Sequence, residues 1–389
     1  MQVLIVGAGA IGSLVGHRLA RAGHEVALVG RQPYVAAVRG RGLGLEDGGR
    51  VTRTTNVRAV TNVLDVADEP FDLVLLTVKA YDTTEAAAQV EPLARRGVPL
   101  LVLQNGVGGE EAVAEILSRS SFARPGSPDP GQKRGFGNPL RAIKATVLSA
   151  VITLSVEVLE PGLVRLATTR GGLGLAPTAP DQSVAELGEL FREAGFRTSV
   201  YRDYRAMKWS KLLLNIIANA SPAILDLFPD QVFADGRLFA LEQAAFREAV
   251  AVMRALGLPP LSLPGYPVPL FAWALCSLPA WFLRPIFRRV IVPGRGGKMP
   301  SLHMDLSRGK GKSEVEYLNG AVVRYAQELG LDVPVNRALH SVLMGIVKGE
   351  IPWEEYRGQP ERLLAACCLG KGDCWGEGTQ GNSGELGGS

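Results

Sequence analysis

The first twenty-two residues constrain this chain most. The apolar run Gln2 to Val6 reads as a strand, Gly7-Ala8-Gly9-Ala10-Ile11-Gly12 follows it directly, and Ile11 to Ala22 reads as a helix. A G-x-G-x-x-G turn gains physical meaning between a strand and a helix. There Gly7 permits the tight turn, Gly9 lets the backbone approach a pyrophosphate and Gly12 lets the helix pack closely, while N–H groups at the helix start meet the anion. The backbone of Ala8, Ala10 and Ile11 completes this candidate cradle. The bland alternative is a glycine turn that only links strand to helix. A second strand at Glu25 to Val29 completes a strand, helix, strand unit and favours dinucleotide binding.

Further buried strands are predicted at Leu73 to Val78 and Leu100 to Leu103, with a helix over Thr83 to Leu93 between them, which implies a parallel sheet with crossover helices. A hairpin turning at Glu160-Pro161-Gly162 should close this domain, with the sheet ending near Pro177. Helix-period apolar faces then recur at Val184 to Ala194, Tyr204 to Ala220, Leu238 to Leu256, Ser313 to Leu329 and Asn336 to Lys348. The expected fold is α/β: an N-terminal Rossmann-type dinucleotide-binding domain over residues 1–178, then a mainly α-helical C-terminal domain over 179–368. A surface insertion is expected at 118–139, which is rich in Ser, Pro, Gly and Arg, and a disordered glycine-rich tail at 369–389.

Composition narrows the partners. A formal charge of +4 is spread along the chain with no run of cations interleaved with aromatics, which argues against nucleic acid. Cys276, Cys367, Cys368 and Cys374 lack zinc-site spacing, and with His17, His24, His303 and His340 scattered no metal centre is expected. The cysteine usage and a start unlike a signal peptide point to a reducing cytoplasm. The apolar run Leu270 to Phe287 is broken by Pro279, Arg284 and Pro285, so no transmembrane segment is expected. The surrounding stretch 261–297 either adds a helical hairpin to the α domain or touches a membrane surface or a partner. A homodimer is compatible with all of this.

Several polar residues stand where ligands bind. After the second strand comes Gly30-Arg31-Gln32, without the carboxylate that favours NAD, so Arg31 is a candidate to meet the 2′-phosphate of NADPH. Two strand ends, Val78-Lys79-Ala80 and Gln104-Asn105-Gly106, should open on the same cleft, where Lys79 neutralises an anion and Asn105 hydrogen-bonds cofactor and substrate; loop capping is the alternative for each. Lys211, Asn215 and Asn219 recur every four residues in an apolar helix, and such a polar stripe needs partners or a ligand. Ser313 reads as an N-cap that sets Glu314 in a first turn, where an acid also complements the helix dipole.

Taken in order, the glycine turn, Arg31, Lys79, Asn105, the Lys211/Asn215/Asn219 helix and the segment from Ser301 through Glu314-Val315-Glu316-Tyr317-Leu318-Asn319-Gly320 resemble the ketopantoate reductase family over about Met1 to Lys348. The resemblance implies NADPH-dependent reduction of a small 2-oxo acid, ketopantoate, to pantoate on the way to coenzyme A. It implies Lys211 as catalytic general acid, Glu314 orienting the substrate hydroxyl and Lys211, Asn215 and Asn219 holding substrate groups, and Ser301 binding the carboxylate. The chain departs from the family at Ala220-Ser221-Pro222, at Lys298, in a longer loop before Glu314 and in the 261–297 insertion. Those departures keep two alternatives open: a reductase of another 2-oxo acid, and a non-catalytic NADP(H)-binding sensor or scaffold.

Overall fold

The computed structural model describes residues 1–119, 146–168, 170–295 and 299–367. Both the insertion expected at 118–139, apart from its first two residues, and the tail expected at 369–389 lie outside the described residues.

The first half alternates strands and helices. β1 (Gln2–Val6) leads into α1 (Ala10–Arg21), β2 (Glu25–Val29) into α2 (Gln32–Arg41), and then come β3 (Leu43–Asp47), β4 (Arg50–Thr54) and β5 (Val57–Val60). β6 (Leu73–Leu76), α3 (Thr83–Arg95), β7 (Leu100–Leu103) and α4 (Gly109–Arg119) follow, and β8 (Val147–Ile152), β9 (Val156–Glu160), β10 (Leu163–Leu166) and β11 (Leu173–Pro177) come next. After α5 (Ala185–Glu193), β12 (Thr198–Val200) ends the run. Eight strands form one sheet in the order β12-β11-β8-β7-β6-β1-β2-β5, parallel except where β11 meets β8. β1 is central and fully covered. Val3 and Ile5 face one core while Leu4 and Val6 face the other, the period-two alternation of a strand buried on both sides.

Three expectations change here. The β9–β10 hairpin forms, but it joins β3 and β4 in a separate four-stranded sheet, β4-β3-β10-β9, which covers the outer side of α1 instead of closing the main sheet. The main sheet also runs past Pro177: β12 pairs with β11, and Leu187, Leu190 and Phe191 of α5 join the core on the β1 Val3/Ile5 side. The helix expected at Val184 to Ala194 in the helical half thus packs on the main sheet.

The helical half comprises α6 (Tyr204–Ile216), α7 (Ala220–Leu225), α8 (Pro229–Ala234), α9 (Gly236–Ala255), α10 (Val268–Ser277), α11 (Ala280–Arg295), α12 (Ser301–Ser307), α13 (Asn319–Leu329), α14 (Pro334–Lys348) and α15 (Pro360–Cys367). Asp203 starts α6 by accepting the N–H groups of Arg205 (2.8 Å) and Ala206 (3.2 Å). Leu212, Leu213 and Trp209 of α6 share one apolar core with Leu4 and Val6 of β1, so the two halves are welded by burial.

The third change is in α6, which stops at Ile216 instead of reaching Ala220. In a continuous helix the ring of Pro222 would meet the carbonyl four residues back, at Ala218. Instead Ala218 takes a left-handed φ of 48°, and its N–H donates to the buried carboxylate of Glu242 (2.6 Å), which also accepts the Ser221 hydroxyl. Similarly, Ser313 caps the next segment as expected, but Glu314–Tyr317 is a 3₁₀ turn separated from α13 by Leu318.

Candidate active site

Gly7 has φ +113°, and a Cβ there would stand 2.6 Å from the Val78 nitrogen, so only glycine fits between β1 and the end of β6. A Cβ on Gly12 would lie 2.2 Å from the Gly7 carbonyl oxygen, which fixes the close approach of α1 to the turn. At Gly9 a Cβ would meet nothing within 4 Å, so the backbone faces open space. α1 starts with no side-chain cap and no acidic residue in its first turn, leaving its N-terminus free for an anion. These features suit a dinucleotide pyrophosphate.

The Val29 carbonyl accepts the N–H groups of Gly7 (3.2 Å) and Ala8 (3.0 Å), binding the turn to the end of β2. Two residues on, Arg31 is exposed at the start of α2. Its guanidinium forms no hydrogen bond or ion pair with another described residue.

The ends of β6 and β7 meet the helical domain. Lys79 Nζ lies 2.6 Å from Glu314 Oε2 and 3.0 Å from Asp305 Oδ2, and both acids are 2% exposed. Burial alone would lower the Lys79 pKa, but Glu314 and then Asp305 outweigh it and hold the ammonium above its ordinary value. Gly106, at φ +85°, brings the next turn against the Glu314–Tyr317 segment: a Cβ there would stand 2.6 Å from the Tyr317 oxygen, and the Val107 N–H donates to that oxygen (3.2 Å). Both strand ends are thus clamped onto the segment that carries Glu314.

Asn105 Oδ1 accepts from Asn215 Nδ2 (3.3 Å), Asn219 Nδ2 donates to the Asn215 carbonyl (2.9 Å), and Asn219 Oδ1 accepts the Leu302 N–H (3.3 Å). This chain of contacts runs from the first domain through α6 to the residue beside Ser301, which opens α12. Lys211 is half-buried on α6, one turn before Asn215 and on the same side. Asn219 reaches the group across the α6–α7 break and not from a continuous helix. The structure therefore joins Lys79 with Glu314, and Asn105 with Asn215 and Asn219, whereas Arg31 stands apart at the far end of the glycine turn.

The chain departs from the family at Ala220-Ser221-Pro222. All three residues are buried, and Ser221 turns to Glu242, so the change is absorbed in the core.

Asp305, Gln104, Lys208 and Glu110 were missed by sequence reasoning. Gln104 accepts the Thr83 hydroxyl (2.9 Å) and donates to the Val78 carbonyl (3.1 Å), fixing the two strand ends to each other. Lys208 Nζ donates to the Gln104 carbonyl (2.9 Å) and to Glu110 Oε1 (3.0 Å), and both charged side chains are 1% exposed. Ser149 adds a second donor to Glu110 (2.6 Å). A lysine one turn before Lys211 on an apolar helix was a usable signal. Glu110 lies in the first turn of α4, where nothing in the local sequence marks Lys208 as its partner.

A mostly parallel sheet with an open glycine turn, facing a helical domain whose polar residues converge on the strand ends, defines a dinucleotide-dependent oxidoreductase. Residues 3–179 match the family described as "Ketopantoate reductase PanE/ApbA", and residues 203–347 match "Ketopantoate reductase PanE/ApbA C terminal". The chain belongs to the ketopantoate reductase family, whose members are oxidoreductases acting on a CH–OH group with a nicotinamide dinucleotide.

Among its relatives, the 2-dehydropantoate 2-reductase of Halobacterium salinarum is 30% identical over 345 residues, covering 87% of this chain and 96% of its own. That of Pyrococcus abyssi is 27% identical over 359 residues, covering 90% and 98%. A solved ketopantoate reductase from Ralstonia eutropha JMP134 superposes with a TM-score of 0.69 at 31% identity, over 90% of this chain and 99% of that one. A D-mandelate dehydrogenase bound to NADH and anilino(oxo)acetate shares the fold, with a TM-score of 0.70 at 19% identity over 90% and 99%.

Proposed function

We propose that this chain reduces 2-dehydropantoate to pantoate with NADPH, using Lys211 as general acid. The observation that carries the reading is the Asn105–Asn215 contact, which sets the Lys211 side of α6 against the end of β7, where an open α/β sheet receives its ligands. The bound dinucleotide supplies hydride to the keto carbon. The protein's own residues do the rest.

Gly7 to Gly12 hold the pyrophosphate, with Arg31 answering the 2′-phosphate and Asn105 facing cofactor and substrate. Asn215, Asn219 and Ser301 hold the hydroxyl and carboxylate of the substrate. Negative charge builds on the ketone oxygen, and the Lys211 ammonium donates its proton there. Glu314 is a positioning group: its carboxylate is held by Lys79, which leaves it fixed beside the cleft to orient the substrate hydroxyl and Lys211.

A second reading, a reductase of a bulkier 2-oxo acid, is favoured only by Lys298, and the burial of Ser221 weakens the other departure behind it. The test is dinucleotide oxidation by the purified protein with ketopantoate and with a panel of larger 2-oxo acids, using NADPH and NADH in turn. Ketopantoate with NADPH should give the highest kcat/KM. A larger acid exceeding it, or equal use of NADH, contradicts the proposal.

A further inference from the structure

Within the stretch expected to stand out, α10 and α11 form a hairpin that packs on α9 through Val268, Ala272, Leu275, Leu283 and Phe287. Its other side has no cover among the described residues. Leu270 is 56% exposed, Trp273 58%, Trp281 75%, Phe282 45% and Ile286 44%, a concentration of large apolar side chains unlike the rest of this surface. Trp281, Phe282, Pro285 and Ile286 line one shallow groove, and Arg289 closes it.

The hairpin's own sequence carries charge of one sign. Between Glu248 and Asp305 the sequence has no Asp or Glu, while it carries Arg254, Arg284, Arg288, Arg289, Arg295 and Lys298. Arg284 turns inward to the Ala234 carbonyl (3.4 Å), but Arg288 and Arg289 are exposed and form no ion pair with a described residue. In the adjoining α8–α9 turn, Asp235 is taken by Arg237 (3.1 Å) and leaves these arginines unanswered.

We propose that the outer face of this hairpin is a membrane-surface contact that takes the anionic headgroup layer of a lipid bilayer. Trp and Phe rings beside free arginines match the interface between acyl chains and headgroups, where an aromatic body is buried and a guanidinium meets phosphate. A second copy of the chain fits this face poorly, because pairing two such faces would gather two sets of Arg288 and Arg289 in one interface with no acidic residue of the hairpin to answer them. Nor does the hairpin span: no helix among the described residues is long and apolar enough to cross a membrane. The contact is peripheral, and it is independent of the reaction proposed above.

The test is co-sedimentation of the full chain with vesicles of phosphatidylcholine alone and with vesicles in which about a third of the lipid is phosphatidylglycerol, at low and high salt. Wild type should bind the anionic vesicles, weaken with salt and leave the neutral ones largely unbound. Arg288→Gln with Arg289→Gln should lower partitioning about 25-fold, at roughly 5-fold per cation. A triple change of Trp281, Phe282 and Ile286 to Ser should abolish partitioning with dinucleotide binding intact. Absence of binding to anionic vesicles, or equal binding by all three proteins, overturns the proposal. So does a dimer in sedimentation velocity that the triple change dissociates, since the face would then be occupied by a second copy.

Discussion

Lys79 Nζ stands 2.6 Å from Glu314 Oε2, an ion pair between residues 235 positions apart that ties the end of β6 to the helical domain. Asp305, 2% exposed, shares the same ammonium. Lys79→Ala would leave two buried carboxylates facing each other without a cation. A loss of roughly 2–4 kcal/mol is expected, somewhat below that of a fully buried pair because Lys79 is partly exposed. Urea denaturation measures it. A variant as stable as wild type would show that the acids find other partners.

The interior pair Lys208–Glu110 makes a sharper case. Lys208→Met strands a buried carboxylate that also serves Ser149, and about 3–5 kcal/mol should be lost. Adding Glu110→Leu should recover most of that loss, because the remaining neighbours are then asked to solvate no charge. Additive losses in the double variant would argue that the two residues act separately. Comparing denaturation midpoints of wild type, Lys208→Met, Glu110→Leu and the double variant settles it.

How much of this was legible in the sequence depends on distance along the chain. The β1–α1–β2 unit was readable because Gln2 to Val29 carries its strand period, glycine turn and helix period contiguously. The second sheet was not, since Leu43–Asp47 and Arg50–Thr54 are short strands that pair with each other and reach β10 and β9 only through the β3–β10 pairing, far along the chain. Lys211 and Asn215 were visible as one helical stripe. The left-handed turn at Ala218 that carries Asn219 out of that helix depends on Glu242, far away in α9. The Asp305 partner of Lys79, 226 residues distant, had no local signal at all.

Cofactor preference should turn on Arg31. With no partner among the described residues to lose, Arg31→Asp removes a fork of donors and puts a repelling carboxylate where the 2′-phosphate is proposed to sit. The NADPH-to-NADH ratio of kcat/KM should fall about 10- to 100-fold, in line with about 1.5–3 kcal/mol for a charge-assisted hydrogen bond. Steady-state kinetics with both cofactors gives the ratio directly. An unchanged ratio would mean the 2′-phosphate is read elsewhere.

Acid should weaken the fold through His17. It is 3% exposed between α1 and the small sheet, and its pKa is pushed from 6.5 to about 4, first by burial, against a hydrogen bond to the Thr52 carbonyl, with Arg21 and Arg18 adding repulsion. The folded chain keeps it neutral while the unfolded chain protonates near 6.5. Its contribution is therefore present above 6.5 and is lost as the pH falls through that value towards 4, by at most about 3 kcal/mol. Stability measured across this window should slope downward in wild type and less so in His17→Gln. Identical slopes would assign the acid sensitivity to other groups.

Turnover as proposed depends on one proton donor in the helical half serving a ketone beside a dinucleotide held by the glycine turn. The direct measurement is kcat for ketopantoate reduction by Lys211→Ala, together with the Kd for NADPH. A fall of about 100- to 10,000-fold in kcat with a Kd close to wild type is expected. Turnover at the wild-type rate would contradict it.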